Sequence, residues 1–166
     1  MCFAGQICPT KSLKIRIKRT ICVEVHKYIL ELLYIAREKN IKVPAIMLQK
    51  IFFLLEKEGK IDLGLGFKPD TFGAFSEKLH DAVYELIDAG LVEVSFEIIK
   101  NDKGEAIGYR EIFSLSDDVK EVYLDKELVR FFERWLYTDK DELQEYVGRK
   151  YPEYTVQKTI RLLVER

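Results

Sequence analysis

Cysteine is scarce in this 166-residue chain, and so are histidine and tryptophan: three Cys, two His and one Trp. The cysteines, Cys2, Cys8 and Cys22, are odd in number, crowd into the first 22 residues and match no zinc-ligand spacing, so reduced thiols rather than a disulfide frame or a zinc site are expected. His26 and His80 fall in separate segments with no second ligand at metal spacing. No cofactor or metal is therefore expected. No apolar run reaches the length of a membrane span, and the N-terminus places its basic residues after its few apolar ones, the reverse of a secretory signal. The expectation is a cytoplasmic protein with no membrane partner. The pair Gly64 and Gly66 lacks the third glycine and the lysine of a phosphate-binding loop, so these glycines read as backbone devices.

What is present is ordinary for a folded domain: 48% apolar and 33% charged residues, in a length that suits one core. Net charge is −1, but its distribution is uneven. Residues 1–23 carry +5 and residues 149–166 carry +3, which leaves −9 for the middle.

Leu13, Ile15 and Ile17 alternate with Lys14, Arg16 and Lys18 ahead of Arg19, so residues 1–20 read as a basic arm or an edge strand. Cys22, Val25, Ile29, Leu32, Leu33 and Ala36 then recur at helical spacing up to Asn40. Pro44 suits the first turn of a second helix, apolar over most of its circumference from Ile46 to Leu55 and stopped at Gly59, which predicts the central core helix. Ile61, Leu63, Leu65 and Phe67 alternate as in a short strand or extended loop before a Pro69-Asp70 turn. Ser76 is the expected N-cap of a helix that buries Leu79, Ala82, Val83, Leu86 and Ile87 and stops at Gly90. Leu91–Ile99 and Ile107–Leu115 flank a hairpin turn at Asn101–Gly104. Further helices are expected from Ser116 to about Trp135, with Asp117 and Asp118 at its start, from Thr138, where Thr138 and Asp141 fit a capping box, and from Thr155 to Val164.

The expected class is mainly α with a small β-hairpin (α+β): a winged-helix-like domain over residues 21–116, whose core includes Leu33, Ile51, Leu55, Leu86 and Leu91, and a helical extension over 117–166 packed on it. "MLQKIFFLL" (Met47–Leu55), "FGAFSEKLHDAVYELIDAGLV" (Phe72–Val92) and "FSLSDD" (Phe113–Asp118) resemble the pattern of the Panacea antitoxin group, which includes SocA-like and YwgA-like proteins. The resemblance covers roughly residues 22–120, and Ala74 stands where that group usually has proline. It implies a winged-helix-like domain that acts by binding, as an antitoxin or adaptor, and it implies no catalytic residues.

Two modes of action suit these features. The helix after Ser76 turns Glu77, Asp81, Glu85 and Asp88 outward against a single Lys78, with Tyr84 between; such a face repels phosphates and instead suits a protein partner, a toxin or a second copy of the chain. The alternative is double-stranded DNA held by the basic ends: Lys14, Arg16, Lys18 and Arg19 of the arm, with Lys158 and Arg161 on the second helix of a helix-turn-helix-like C-terminal stretch. Ser76 and His80 lie one helical turn apart with Asp81 adjacent, but capping explains the serine and the histidine falls on the wet face of the helix, so neither an enzyme nor a small-molecule substrate is expected. The cluster Phe131, Phe132, Trp135, Leu136 and Tyr137 reads as core.

Overall fold

Helix α1 (Val23–Glu38) forms because its apolar residues repeat every three or four positions, and Val25, Ile29, Leu32, Leu33 and Ala36 are all buried. It ends in a left-handed closure: Asn40 takes φ 55°, the Ile41 amide donates to Ala36 carbonyl oxygen at 2.8 Å and the Asn40 amide to Arg37 at 3.1 Å. The computed structural model describes residues 23–71 and 73–154. The expected basic arm with Lys14, Arg16, Lys18 and Arg19, the three cysteines, and the expected last helix with Lys158 and Arg161 lie outside the described residues.

After α1 comes a two-residue strand, β1 (Val43–Pro44), that the sequence pattern is too short to announce. Pro44 lies ahead of the second helix, not within its first turn: it is the extended N-cap residue of α2 (Ala45–Lys57). Every residue of α2 from Met47 to Leu55 is buried, Gln49 and Lys50 included, so this is the central core helix.

The stretch Ile61–Phe67 is an extended loop without strand pairing. Gly64 and Gly66 sit at φ 63° and 62°, which breaks a regular ladder. Glu56 does the work of a partner strand, its carboxylate accepting the Leu63 and Leu65 amides at 3.3 Å each. Pro69 and Asp70 do not make the turn expected from sequence. Both belong to β2 (Lys68–Asp70), which pairs antiparallel with β3 (Gly73–Phe75). Helix α3 (Glu77–Asp88) begins at Ser76, whose hydroxyl accepts the Leu79 amide at 3.1 Å, and closes at Gly90, φ 76°, with the Leu91 amide donating to Leu86 at 3.0 Å. Strands β4 (Val92–Lys100) and β5 (Ala106–Leu115) form the expected hairpin, and its tip is organised by the Asn101 side chain, which accepts the Lys103 and Glu105 amides. β1 pairs with the far end of β5, Val43 opposite Phe113, giving a three-stranded sheet in the order β1-β5-β4.

Beyond the sheet, two helices start later than the sequence suggests. No helix starts at Ser116. Residues 116–125 are non-helical, held by the Arg37 guanidinium, which donates to the carbonyls of Ser116 (3.2 Å) and Val119 (2.7 Å). Asp117 and Asp118 therefore do not open a helix. Helix α4 (Lys126–Leu136) is capped by Asp125, which accepts the Glu127 and Leu128 amides. Likewise Asp139, not Thr138, caps α5 (Lys140–Lys150), and the Thr138 hydroxyl donates backward to Arg134. A short 3-10 turn, Pro152–Tyr154, follows.

The five helices of the described residues and the small antiparallel sheets make a mixed α+β protein. One core cluster joins α1, α2 and α3 to α4 and α5: Phe132 stacks near Phe52 (6.0 Å), and Trp135 near Tyr146 (4.9 Å). Of the aromatic cluster, Phe132, Trp135 and Leu136 are core as expected, whereas Tyr137 is exposed. Leu33, Ile51, Leu55, Leu86 and Leu91 are all buried. α5 is tied to the end of α2 by Glu58, which accepts hydrogen bonds from Lys150 and from the hydroxyl of Tyr146 (2.6 Å). Burial pushes the Glu58 carboxyl up, and these bonds more than reverse it, leaving it below the usual carboxylate range.

Candidate functional site

The motif "LQK" places two polar side chains on the buried circumference of α2, and each does something different. The Gln49 amide pairs with the backbone of Ser76 in both directions: its nitrogen donates to the Ser76 carbonyl at 3.0 Å and its oxygen accepts the Ser76 amide at 2.9 Å. Ser76 also donates its hydroxyl to the Leu65 carbonyl at 2.6 Å. Gln49 and Ser76 together lock loop 59–67, the β3–α3 junction and α2 into one unit. Capping and this bond occupy the Ser76 hydroxyl, in keeping with the structural role expected for it.

Lys50 has no such partner. It is 2% exposed, and its ammonium finds no hydrogen bond among the described residues. Burial pushes its pKa down from 10.5 to about 8; Lys140 adds to the shift and Asp141 opposes it. The side chain runs beneath β3, with Cε 3.7 Å from where a β-carbon on Gly73 would stand. Lys50 forms part of the wall of a cleft of about 150 Å³ whose lining includes Ile46, Phe75, Val83 and Phe113 as well as Gln49, His80 and Asp70. Sequence reasoning passed over this lysine. The available signal was a charged residue inside an otherwise apolar helical run.

The five residues expected to form an acidic docking face are divided by the structure. Glu77, Asp81 and Asp88 are exposed on α3. Glu85 instead lies 3.1 Å from the ring of His26, a fully buried histidine on α1, and Tyr84 donates its hydroxyl to Glu111 of β5 at 2.9 Å. Partial burial and the Glu111 carboxylate push the Tyr84 hydroxyl up to about 12. Two of the five are thus engaged within the fold.

A larger unpartnered feature is the hairpin. Phe96, Ile98, Ile107 and Tyr109 are 59%, 61%, 63% and 67% exposed. The alternation of the strands and the register, which sets Ile98 opposite Tyr109, put Phe96, Ile98 and Tyr109 on one face, and Ile107 stands at the register shift beside the hairpin tip. Farther along the same face, Val94 lies opposite Phe113, which is buried in the core. Interrupted by Glu111, which stands opposite Phe96, apolar side chains therefore continue from the core into solvent, with Phe96 and Tyr109 edge to face at 5.4 Å.

Glu31 of α1 is fully buried, and neither carboxylate oxygen has a hydrogen-bond partner among the described residues. Burial raises its pKa from 4.5 to about 7; Lys27 opposes this, and Asp125 adds to it by its charge while its nearby backbone amide opposes it. The folded state therefore keeps a proton that the unfolded chain releases above pH 4.5. This contribution to stability is lost as pH rises from 4.5 through 7, and the penalty is constant above that. Glu31→Gln should gain about 2–3 kcal/mol relative to the parent between pH 4.5 and pH 8, at about 1.4 kcal/mol per unit. Urea unfolding of both proteins at the two pH values measures it, and equal pH slopes would refute the assignment.

Among the described residues no group of His, Cys, Asp and Glu is arranged to hold a metal ion, and no helix is long and apolar enough to cross a membrane. No family model matches the chain, and neither a curated protein nor a solved structure is significantly similar to it.

Proposed function

We propose that this chain is a non-enzymatic interaction module of winged-helix type, an antitoxin-like or adaptor protein that docks a protein partner on the apolar face of its β4–β5 hairpin. The element order supports the winged-helix reading: helix, short strand, helix, the β2–β3 pair, a third helix and a hairpin, with β1 against β5. The observation that carries the partner reading is the group Phe96, Ile98, Ile107 and Tyr109, all more than half exposed, the first two and Tyr109 on one face of the hairpin. Contiguous apolar patches of this kind mark association sites, and burying each such side chain stabilises a complex by about 1.5–3 kcal/mol before the costs of association.

Double-stranded DNA is the competing occupant of a winged helix. On α3 the exposed Glu77, Asp81 and Asp88 outnumber Lys78, and carboxylates held toward phosphates oppose binding. A DNA mode would fall to Lys14, Arg16, Lys18, Arg19, Lys158 and Arg161. The test is a photo-crosslinking amino acid in place of Tyr109, compared with one in place of Ser114, an exposed residue of β5 on the opposite face of the sheet. Protein adducts from the Tyr109 position that resist nuclease, and that disappear when Phe96 and Ile98 are both changed to serine, are expected. Adducts to the chain itself would identify the partner as a second copy. Equal capture from both positions, or capture of nucleic acid alone, would overturn the reading.

A further inference from the structure

We infer that the cleft over Lys50 is a binding site for an apolar carboxylate, whose hydrocarbon group fills the space between α2, β3 and α3 and whose anionic end meets the Lys50 ammonium. Three features support this. The cleft's volume of about 150 Å³ is that of an apolar cavity able to hold benzene. Its enclosing side chains, Ile46, Phe75, Val83 and Phe113 among them, suit a hydrocarbon rather than a polar ligand. Of the two buried polar side chains on its wall, Gln49 is satisfied by Ser76, whereas Lys50 has no hydrogen-bond partner among the described residues, and a buried cation of this kind is costly unless an anion meets it.

Other charges flank the site. Asp70 on the wall and Asp141 at the start of α5 are negative, Lys140 is positive, and His80 is half-exposed on the α3 side. Asp70 and Asp141 are exposed and screened by water, whereas Lys50 acts at low dielectric, so the field inside the cleft is set by the lysine. Gly73 contributes by omission: it lines the cleft, and it has no β-carbon above the Lys50 chain. Such a carboxylate has two sources, a small organic acid or the C-terminus of a polypeptide ending in an apolar residue.

The probes are benzoate, its neutral counterpart benzamide, and N-acetylphenylalanine with its amide, titrated into the full chain by calorimetry and by chemical-shift mapping of Ile46 and Val83. Benzoate should bind at millimolar concentration or tighter, at least about tenfold more strongly than benzamide. That preference should fade as pH rises past 8, where the ammonium of the free site is lost. Lys50→Met should abolish the preference while the protein stays folded. Tighter binding of N-acetylphenylalanine than benzoate would name a polypeptide C-terminus as the source, and the reverse order a small acid; either supports the site. Equal binding of benzoate and benzamide to the parent protein, an unchanged preference in Lys50→Met, or no saturation by any probe at millimolar concentration would overturn it.

Discussion

Replacing Gln49 by alanine is expected to cost about 3–5 kcal/mol, because it strips two hydrogen bonds from one buried place. The Ser76 amide and carbonyl both face the Gln49 side chain, and Ser76 is fully buried. A buried polar group left without a partner costs about 1–3 kcal/mol; the Ser76 amide is left so, its carbonyl keeps the His80 amide at 3.2 Å but loses its second donor, and a void opens where the Gln49 amide stood. Gln49→Glu separates the terms: the carboxylate can still accept from the Ser76 amide but cannot donate to its carbonyl, and it adds a buried charge. It should therefore be no better than alanine near neutral pH and should recover in acid, where the protonated side chain donates again. Urea unfolding with unchanged slope reads both. A loss below about 1 kcal/mol for Gln49→Ala would mean that water replaces the amide and that α2 does not hold the β3–α3 junction.

Leu86→Ala should lower stability by about 2–5 kcal/mol, the range for a leucine truncated inside a packed core. Leu86 is fully buried on α3, in the cluster shared with α1 and α2, and its carbonyl receives the closing bond from Leu91. The spread depends on how far α3 can settle into the space. Thermal or urea unfolding gives the value, with Glu77→Ala on the wet face of the same helix as a control expected within about 0.5 kcal/mol of the parent. A Leu86 loss in that surface range would mean that the helix presents a different side to the core.

Much of this fold was legible because local chemistry carries it. The buried faces of α1 and α3 follow from apolar spacing, the start of α3 from the Ser76 hydroxyl, its end from Gly90 at φ 76°, and the hairpin tip from Asn101 and Gly104. These are bonds between residues at most a few positions apart, so a one-dimensional pattern contains them. The errors came where local signals competed. Asp117 and Asp118 resemble a helix opening, yet Arg37, 79 and 82 residues upstream of the carbonyls it binds, holds that segment in a non-helical path. Asp139 displaced Thr138 as cap because both are chemically able to serve, and the backbone direction decides between them.

Sites depended still more on distance along the chain. Composition and spacing by themselves determined an α+β chain with a buried central helix, a hairpin and an acidic third helix. Only the tertiary structure decided that Glu85 turns to His26, 59 residues away, and that Tyr84 reaches Glu111, which removes both from the open acidic face. It also decided that Lys50 lies dry beneath Gly73 while its neighbour Gln49 is satisfied, and that the hairpin carries Phe96, Ile98, Ile107 and Tyr109 beyond the body that would have covered them. The physical reason is that helical and strand periodicity states which face of an element is apolar. Whether that face meets another element, a charge or water depends on where the rest of the chain is packed.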